Sequence, residues 1–380
     1  MTCRFPHLCL HDWPFQVVPA ESFFTFMADR KQVAQDAWTI LRNLSRRDAS
    51  SIQVIWAWFG AGKTHTLKYM AHLCGTEYKA LLPVYCEFPR DTRSFVDVYR
   101  AFVEALNVEA LVDAYLEVFT SPRKDEVQRS LHLDAPDLSN ALTVLATGTQ
   151  EQRDSAIRWL RAEAQPLPEL RHIGIGRRVS GADDAVRTLS WLIKVFNVGS
   201  GINPGTISRV MWMIDEFQRI EECRPKSVIS QINGCLHSIF NRNPNALSIF
   251  LSFSGRPQSR MPEWLSPEIK DRIGIERPIL LPPLTPDEAL CFVKDLLREF
   301  RPNSSSPPSD FYPFEESAVR LIIRSIQQKR GDIKPRNIMQ FFQTVLEEAD
   351  PLIEQRSLEV VDSEFAERCL KGVSETDEKE

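Results

Sequence analysis

Residues 52–64, Ile-Gln-Val-Ile-Trp-Ala-Trp-Phe-Gly-Ala-Gly-Lys-Thr, form an apolar run that empties into a glycine-rich turn ending in Lys63-Thr64. This is the pattern of a buried strand feeding a phosphate-binding loop. A phosphate needs backbone N–H groups pointed inward with no side chains in the way, which Gly60 and Gly62 permit. A helix starting at about Lys63 adds the positive end of its dipole. Lys63 can reach the outer phosphates, and the Thr64 hydroxyl can sit on Mg²⁺. The pattern departs from Gly-x-x-x-x-Gly-Lys-Ser/Thr at its first position, where Ala57 stands, and alanine fits the same turn if its φ is negative. The chain is expected to bind a nucleotide.

The bulk properties narrow the field. A chain of 380 residues holds one large domain or two. With 43% hydrophobic and 26% charged residues, its composition is that of an ordinary globular protein. A net charge of −5 argues against tight passive binding to nucleic acid, although a local basic patch remains compatible with it. No apolar run approaches the ~20 residues of a membrane span, and the start shows no signal-peptide core. Eight scattered cysteines without a Cys-x-x-Cys pair suit a reducing compartment, so a cytoplasmic location is expected. Cys3, His7, Cys9 and His11 match no closed zinc module and are read as packing residues.

Strand and helix patterns alternate along the chain, which predicts an α/β fold with a parallel five-stranded sheet covered on both faces. Residues 1–50 are read as a lead-in, and 51–284 as the core. Within the core, about 105–205 are read as a helical insertion, with turns at Ser121-Pro122 and near Pro166-Leu-Pro168. Its arginines at 153, 158, 161, 171, 177, 178 and 187 form either a basic face or, more blandly, a solvated face with intrahelical ion pairs. Residues 285–350 are read as a helical lid, and 351–380 as a last helix and an acidic tail.

The run "VMWMIDEF" places Asp215 and Glu216 at the carboxyl end of a buried strand, where open α/β sheets bind ligands. Asp215 is suited to holding Mg²⁺, and Glu216 to orienting and deprotonating an attacking water. A fourth strand ends in Ser252-Phe-Ser254-Gly-Arg256. If it lies between the strands carrying the loop and Asp215, one of its serines can touch the γ-phosphate or the water, with Arg256 a weaker candidate.

In this order, these residues resemble the AAA+ ATPases over about residues 15 to 348. The resemblance implies a fourth-strand sensor, matching Ser252 or Ser254. It implies an arginine acting on the neighbouring subunit's nucleotide, matching Arg272 with Arg277 in reserve. It also implies a sensor arginine opening the last lid helix within "GDIKPRNI", matching Arg336. The lead-in "WPFQVVP…FMADR" looks like that of bacterial members of the origin-recognition-like branch, with Pro19 through Arg30 bordering the adenine. The insertion looks like the ATP-binding proteins of BREX phage-defence loci, with TnsC/TniB transposition regulators as second cousins. The nucleotide site so implied takes in Ala57, Trp58, Phe59, Gly60, Ala61, Gly62, Lys63, Thr64, His65 and Arg30, with Thr64 and Asp215 on the metal. ATP and Mg²⁺ are the implied cofactors. The stretch after the lid is not expected to form the winged-helix DNA-binding domain of that branch.

The function expected is therefore an ATP-hydrolysing protein that self-associates as a ring or filament. DNA binding would depend on ATP and assembly, partner proteins are expected, and no membrane is involved. A slowly hydrolysing nucleotide switch is the alternative. A small-molecule kinase is disfavoured, because no acceptor site is recognisable and a lid is present.

Overall fold

The computed structural model describes residues 4–18, 20–120, 123–199, 207–255, 261–273, 278–303 and 306–371. In chain order the helices and strands begin α1 (Lys31–Leu44), β1 (Ser51–Ala57), α2 (Lys63–Thr76) and β2 (Leu81–Glu87). Seven helices follow: α3 (Phe95–Ala105), α4 (Val108–Thr120), α5 (Lys124–Asp134), α6 (Pro136–Thr147), α7 (Gln150–Leu160), α8 (Leu167–His172) and α9 (Ala182–Gly199). Then come β3 (Arg209–Asp215), α10 (Ser227–Arg242), β4 (Leu247–Ser254), α11 (Pro267–Ile273) and β5 (Ile279–Leu280). Four helices close the chain: α12 (Pro286–Glu299), α13 (Glu316–Arg330), α14 (Pro335–Glu354) and α15 (Ser363–Leu370).

The fold is α/β, with five strands in the order β2-β3-β4-β1-β5. The pairs β2–β3, β3–β4 and β1–β5 are parallel. Between β4 and β1, Ser51 meets Ser248 at the strand starts, and Trp56 meets Phe253 near the ends, so these two also run the same way. Every residue of β3 is buried, as the unbroken run Val-Met-Trp-Met-Ile requires of a strand with both faces out of water. β2 lies at one edge, where Pro83 costs no ladder bond on its outer side. β5, expected as a full strand, is only two residues long.

By contact the chain divides into two compact units. One comprises Met1–Asp36, Ala57–Tyr69 and Leu281–Glu380, and the other Ala37–Trp56 and Met70–Leu280. The sheet unit holds a core that runs without interruption from Val54, Val84 and Trp212 to Leu111, Leu138, Trp159 and Trp191. The insertion helices α4–α9 therefore share the sheet's core instead of forming a satellite. Of the ion pairs that the arginines singled out in it form among the described residues, only Arg187–Asp184 lies within one helix. Arg158, Arg177 and Arg187 face Glu169, Asp137 and Asp184 at 3.9–4.0 Å, while Arg153 and Arg178 donate to backbone carbonyls. The turn expected near Pro166-Leu-Pro168 is the start of α8, with proline in its first turn.

The other unit gathers Leu8, Leu10, Phe15 and Phe23 of the lead-in with apolar faces of α12–α15. The lead-in is thus part of this core, with Phe15 stacked on Phe342 at 5.0 Å. On α14, Ile338, Phe341, Phe342, Val345, Leu346 and Ala349 recur at helical spacing and are buried. Pro335 at its first position presets the helical φ.

Candidate active site

In the loop between β1 and α2, Gly60 has φ +74 and Gly62 φ +102, values that disfavour any L side chain. The Lys63 ammonium donates to the carbonyls of Ala57 at 3.4 Å and Trp58 at 3.3 Å, and lies 5.6 Å from the Phe59 ring centroid. That side chain is buried, so its charge is confined to the loop. Trp58 and Phe59 are 40% and 47% exposed, unusual for large apolar side chains. Ala61 N–H donates to the Trp58 carbonyl, and Thr66 returns both N–H and hydroxyl to the Gly62 carbonyl. Thr64 opens α2 half-buried.

The lid meets this loop within the same unit. Arg336 N–H donates to the Gly60 carbonyl at 3.3 Å, and a Cβ on Gly60 would lie 3.0 Å from the Arg336 Cβ. Arg336, the arginine singled out in "GDIKPRNI", thus has its backbone against the β1–α2 loop, with its side chain exposed. Lys334, not anticipated, is buried with its ammonium 5.8 Å from the Trp58 ring centroid.

The lead-in reaches the same region. His65 Nε2 donates to the Phe26 carbonyl at 2.8 Å, and Phe24 lies 5.5 Å from the His65 ring. Burial pushes the His65 pKa below its ordinary value, which keeps the ring neutral and the donor in place near neutral pH. Arg30 is 9% exposed and donates one bond, to the Pro282 carbonyl at 2.8 Å. Its Nε and second terminal nitrogen have no partner among the described residues. Buried donors of this kind ask for an acceptor. Pro19 lies outside the described residues.

In the sheet unit, Asp215 ends β3 at 1% exposure. One carboxylate oxygen accepts from the Ser252 hydroxyl at 2.7 Å and from Glu216 N–H at 2.9 Å. The other accepts from the Tyr85 hydroxyl at 3.0 Å. Burial, and then the Asp215 charge, raise the Tyr85 pKa, so the phenol stays a donor. Glu216 has φ 54 and ψ 34, a left-handed conformation costly for a residue with a Cβ. Its carboxylate accepts from Gln218 Nε2 at 2.6 Å, and Gln218 Oε1 accepts from Ser254 N–H at 2.8 Å. The amide thus ties Glu216 to the end of β4.

The two serines are separated by these contacts. Ser252 is fully buried and spent on Asp215, whereas the Ser254 hydroxyl has no partner among the described residues. β4 does lie between β3 and β1, the condition set for a serine to serve the site. Arg272 is exposed near the end of α11, its guanidinium 5.4 Å from the Phe240 ring centroid and 3.4 Å from Asn241 Oδ1. Arg256 and Arg277 lie outside the described residues. Among the described residues no group of three or more His, Cys, Asp or Glu could hold a metal. A cation here would rest on one carboxylate plus phosphates, as Mg²⁺ commonly does. Reading the sequence missed Tyr85 and Gln218. The alternation of β2 puts Tyr85 on the same side as Glu87, and Gln218 stands two residues after the acidic pair, but neither spacing names its partner.

No family model matches the sequence, and no curated protein matches it. Among solved structures it is similar to the Aeropyrum pernix ORC1 protein in complex with DNA, at 14% identity and TM-score 0.48, over 97% of this chain and 69% of that one. Domain III of the Thermotoga maritima replication initiation protein DnaA gives 10% and 0.43, over 93% and 95%. The Thermotoga maritima RuvB Holliday junction branch migration motor gives 11% and 0.42, over 94% and 76%. No helix among the described residues is long and apolar enough to cross a membrane.

Proposed function

We propose that the chain binds and hydrolyses ATP as a AAA+ protein of the origin-recognition-like type, assembling as a ring or filament on DNA or on a partner complex. The observation that carries the reading is the pair ending β3. Asp215 is a buried carboxylate held by two hydroxyls, and Glu216 beside it is kept in a left-handed conformation with its carboxylate bound by an amide. A protein that only bound nucleotide would have no chemical use for a second, strained carboxylate there.

In this reading the loop's N–H groups and Lys63 take the outer phosphates, Arg336 adds a cation at Gly60, and the unspent donors of Arg30 face the nucleoside. Thr64 and Asp215 would be the metal's protein ligands, and Mg²⁺ would offset phosphate charge. Glu216 takes the proton of the attacking water, and Ser254 is the serine free to orient it. Arg272, or Arg277, completes a neighbouring subunit's site. The likeness of the insertion's run to BREX ATP-binding proteins supports a role in phage defence, with transposition control as the second setting. Loss of protection in a plaquing assay with Glu216→Gln would support the first.

A second reading, a slow ATP switch that recruits partners, is favoured by the Gln218 bond, which occupies one oxygen of the proposed base. The deciding measurement is ATPase rate per subunit against protein concentration, with and without double- and single-stranded DNA. The rate should rise with both. A low, flat rate with tight ATP binding would select the switch, and no ATP binding by calorimetry would end both readings.

A further inference from the structure

A groove of about 630 Å³ opens in the sheet unit between the second half of α1 and the turn joining α2 to β2. It is lined by two aromatics, Trp38 and Tyr78, and three cations, Arg42, Arg46 and Lys79, with Glu77 the one carboxylate. Trp38 is 36% exposed, and the Arg42 guanidinium lies over its ring at 5.2 Å from the centroid. None of the three cations forms an ion pair among the described residues, in contrast to the arginines of the insertion. On a chain of net charge −5, three cations without ion pairs beside the exposed Trp38 and the half-buried Tyr78 are a local reversal of sign.

The mount is rigid. The turn from α1 to β1 is anchored from behind by Arg209, 2% exposed, which donates to the carbonyls of Arg47 and Ala49. The other wall is fixed by Leu81 N–H to the Tyr78 carbonyl at the start of β2. The groove therefore sits at the amino-terminal edge of the sheet, the edge opposite Asp215 and Glu216.

We propose that this groove binds single-stranded nucleic acid, with a base stacked against Trp38 or Tyr78 and flanking phosphates on Arg42, Arg46 and Lys79. Guanidinium and indole faces stack any base, and a strand presents one phosphate per nucleotide to such a row of cations. An acidic peptide would use the cations but leave the Trp38 and Tyr78 rings without a matching flat face. A duplex keeps its bases stacked internally and would use the cations alone. One groove is a weak site, and repetition in an assembly multiplies it through avidity. The inference is independent of the ATP reading.

The test is fluorescence anisotropy of a labelled 20-nucleotide oligothymidylate against the full chain, in low salt without nucleotide. Trp38→Ala should weaken binding at least about fivefold, the lower bound for one lost stack, and Trp38→Phe should restore most of it. The wild-type dependence of log affinity on log salt should have a slope near −2, and Arg42→Glu with Arg46→Glu should flatten it to between about −1 and 0. Lys63→Ala should bind the oligonucleotide like wild type, which separates this site from nucleotide binding. Circular dichroism confirms that each variant is folded. Unchanged affinity in both Trp38→Ala and the double charge reversal overturns the proposal. So does equal binding of a polyglutamate peptide or of a duplex with no loss on Trp38→Ala, which would make the groove a docking face for acidic or duplex partners.

Discussion

Glu216 departs from the backbone conformation that a residue with a Cβ favours. A left-handed backbone costs a residue with a Cβ about 1–2 kcal/mol, and here the surrounding bonds to Asp215 and Gln218 over-determine it. Glu216→Gln should retain ATP affinity while slowing hydrolysis by about 10²–10⁴, the usual worth of a general base, in single-turnover assays. A variant with the wild-type rate would remove Glu216 from the chemistry. Gln218 positions rather than reacts. A hydrogen bond to a carboxylate is worth about 1.5–3 kcal/mol, so Gln218→Ala should lower kcat about tenfold or more with KM nearly unchanged. A rise in kcat would mean that the amide restrains the base, and would favour the switch reading.

At the scale of elements, the phosphate loop and the first turn of α14 are built against each other through Gly60. An alanine there meets both a positive φ and the Arg336 Cβ at 3.0 Å, whereas at Gly62 it meets only the φ of +102 in open space. Both substitutions should weaken ATP binding in calorimetry by distorting the cradle. Only Gly60→Ala should loosen α14, read as faster hydrogen exchange at the Arg336 amide, whose bond ends on the Gly60 carbonyl. Equal acceleration in the two variants would mean that the contact does not hold the helix. The second strand pair obeys the same logic. β4 beside β3 turns Ser252 into a brace for Asp215 and leaves the Ser254 hydroxyl for a ligand.

The whole molecule carries its proposed trans-acting group on the surface. Arg272 is exposed and leans on α10 within its own chain, so its proposed chemistry requires another copy. Arg272→Ala should bind ATP normally and lose turnover by about 10³, the scale of an arginine finger. Mixed with Lys63→Ala protein it should regain part of the rate, since one subunit supplies an intact loop and the other an intact arginine. Such rescue needs head-to-tail packing, the geometry of rings and filaments. Two dead variants whose demonstrated co-assembly is equally dead would leave Arg272 a packing residue on Phe240.

What the sequence by itself determined is covalently local. The glycine loop after β1 is legible because strand, glycines, lysine and hydroxyl follow one another within thirteen residues, and Asp215-Glu216 because they directly end an unbroken apolar run. β1, β3 and β4 are legible for the same reason, as mostly apolar runs buried almost throughout, whereas the short β5 is not delimited by its run. Only the tertiary structure decided the rest. It spent Ser252 on Asp215, brought Tyr85 and Gln218 to the acidic pair, joined the lead-in to the lid helices, and merged the insertion with the sheet's core. Each of those pairings joins side chains or segments whose partners are set by strand order and helix packing. Propensity and spacing act over a few residues, and carry no record of which distant element a face will meet.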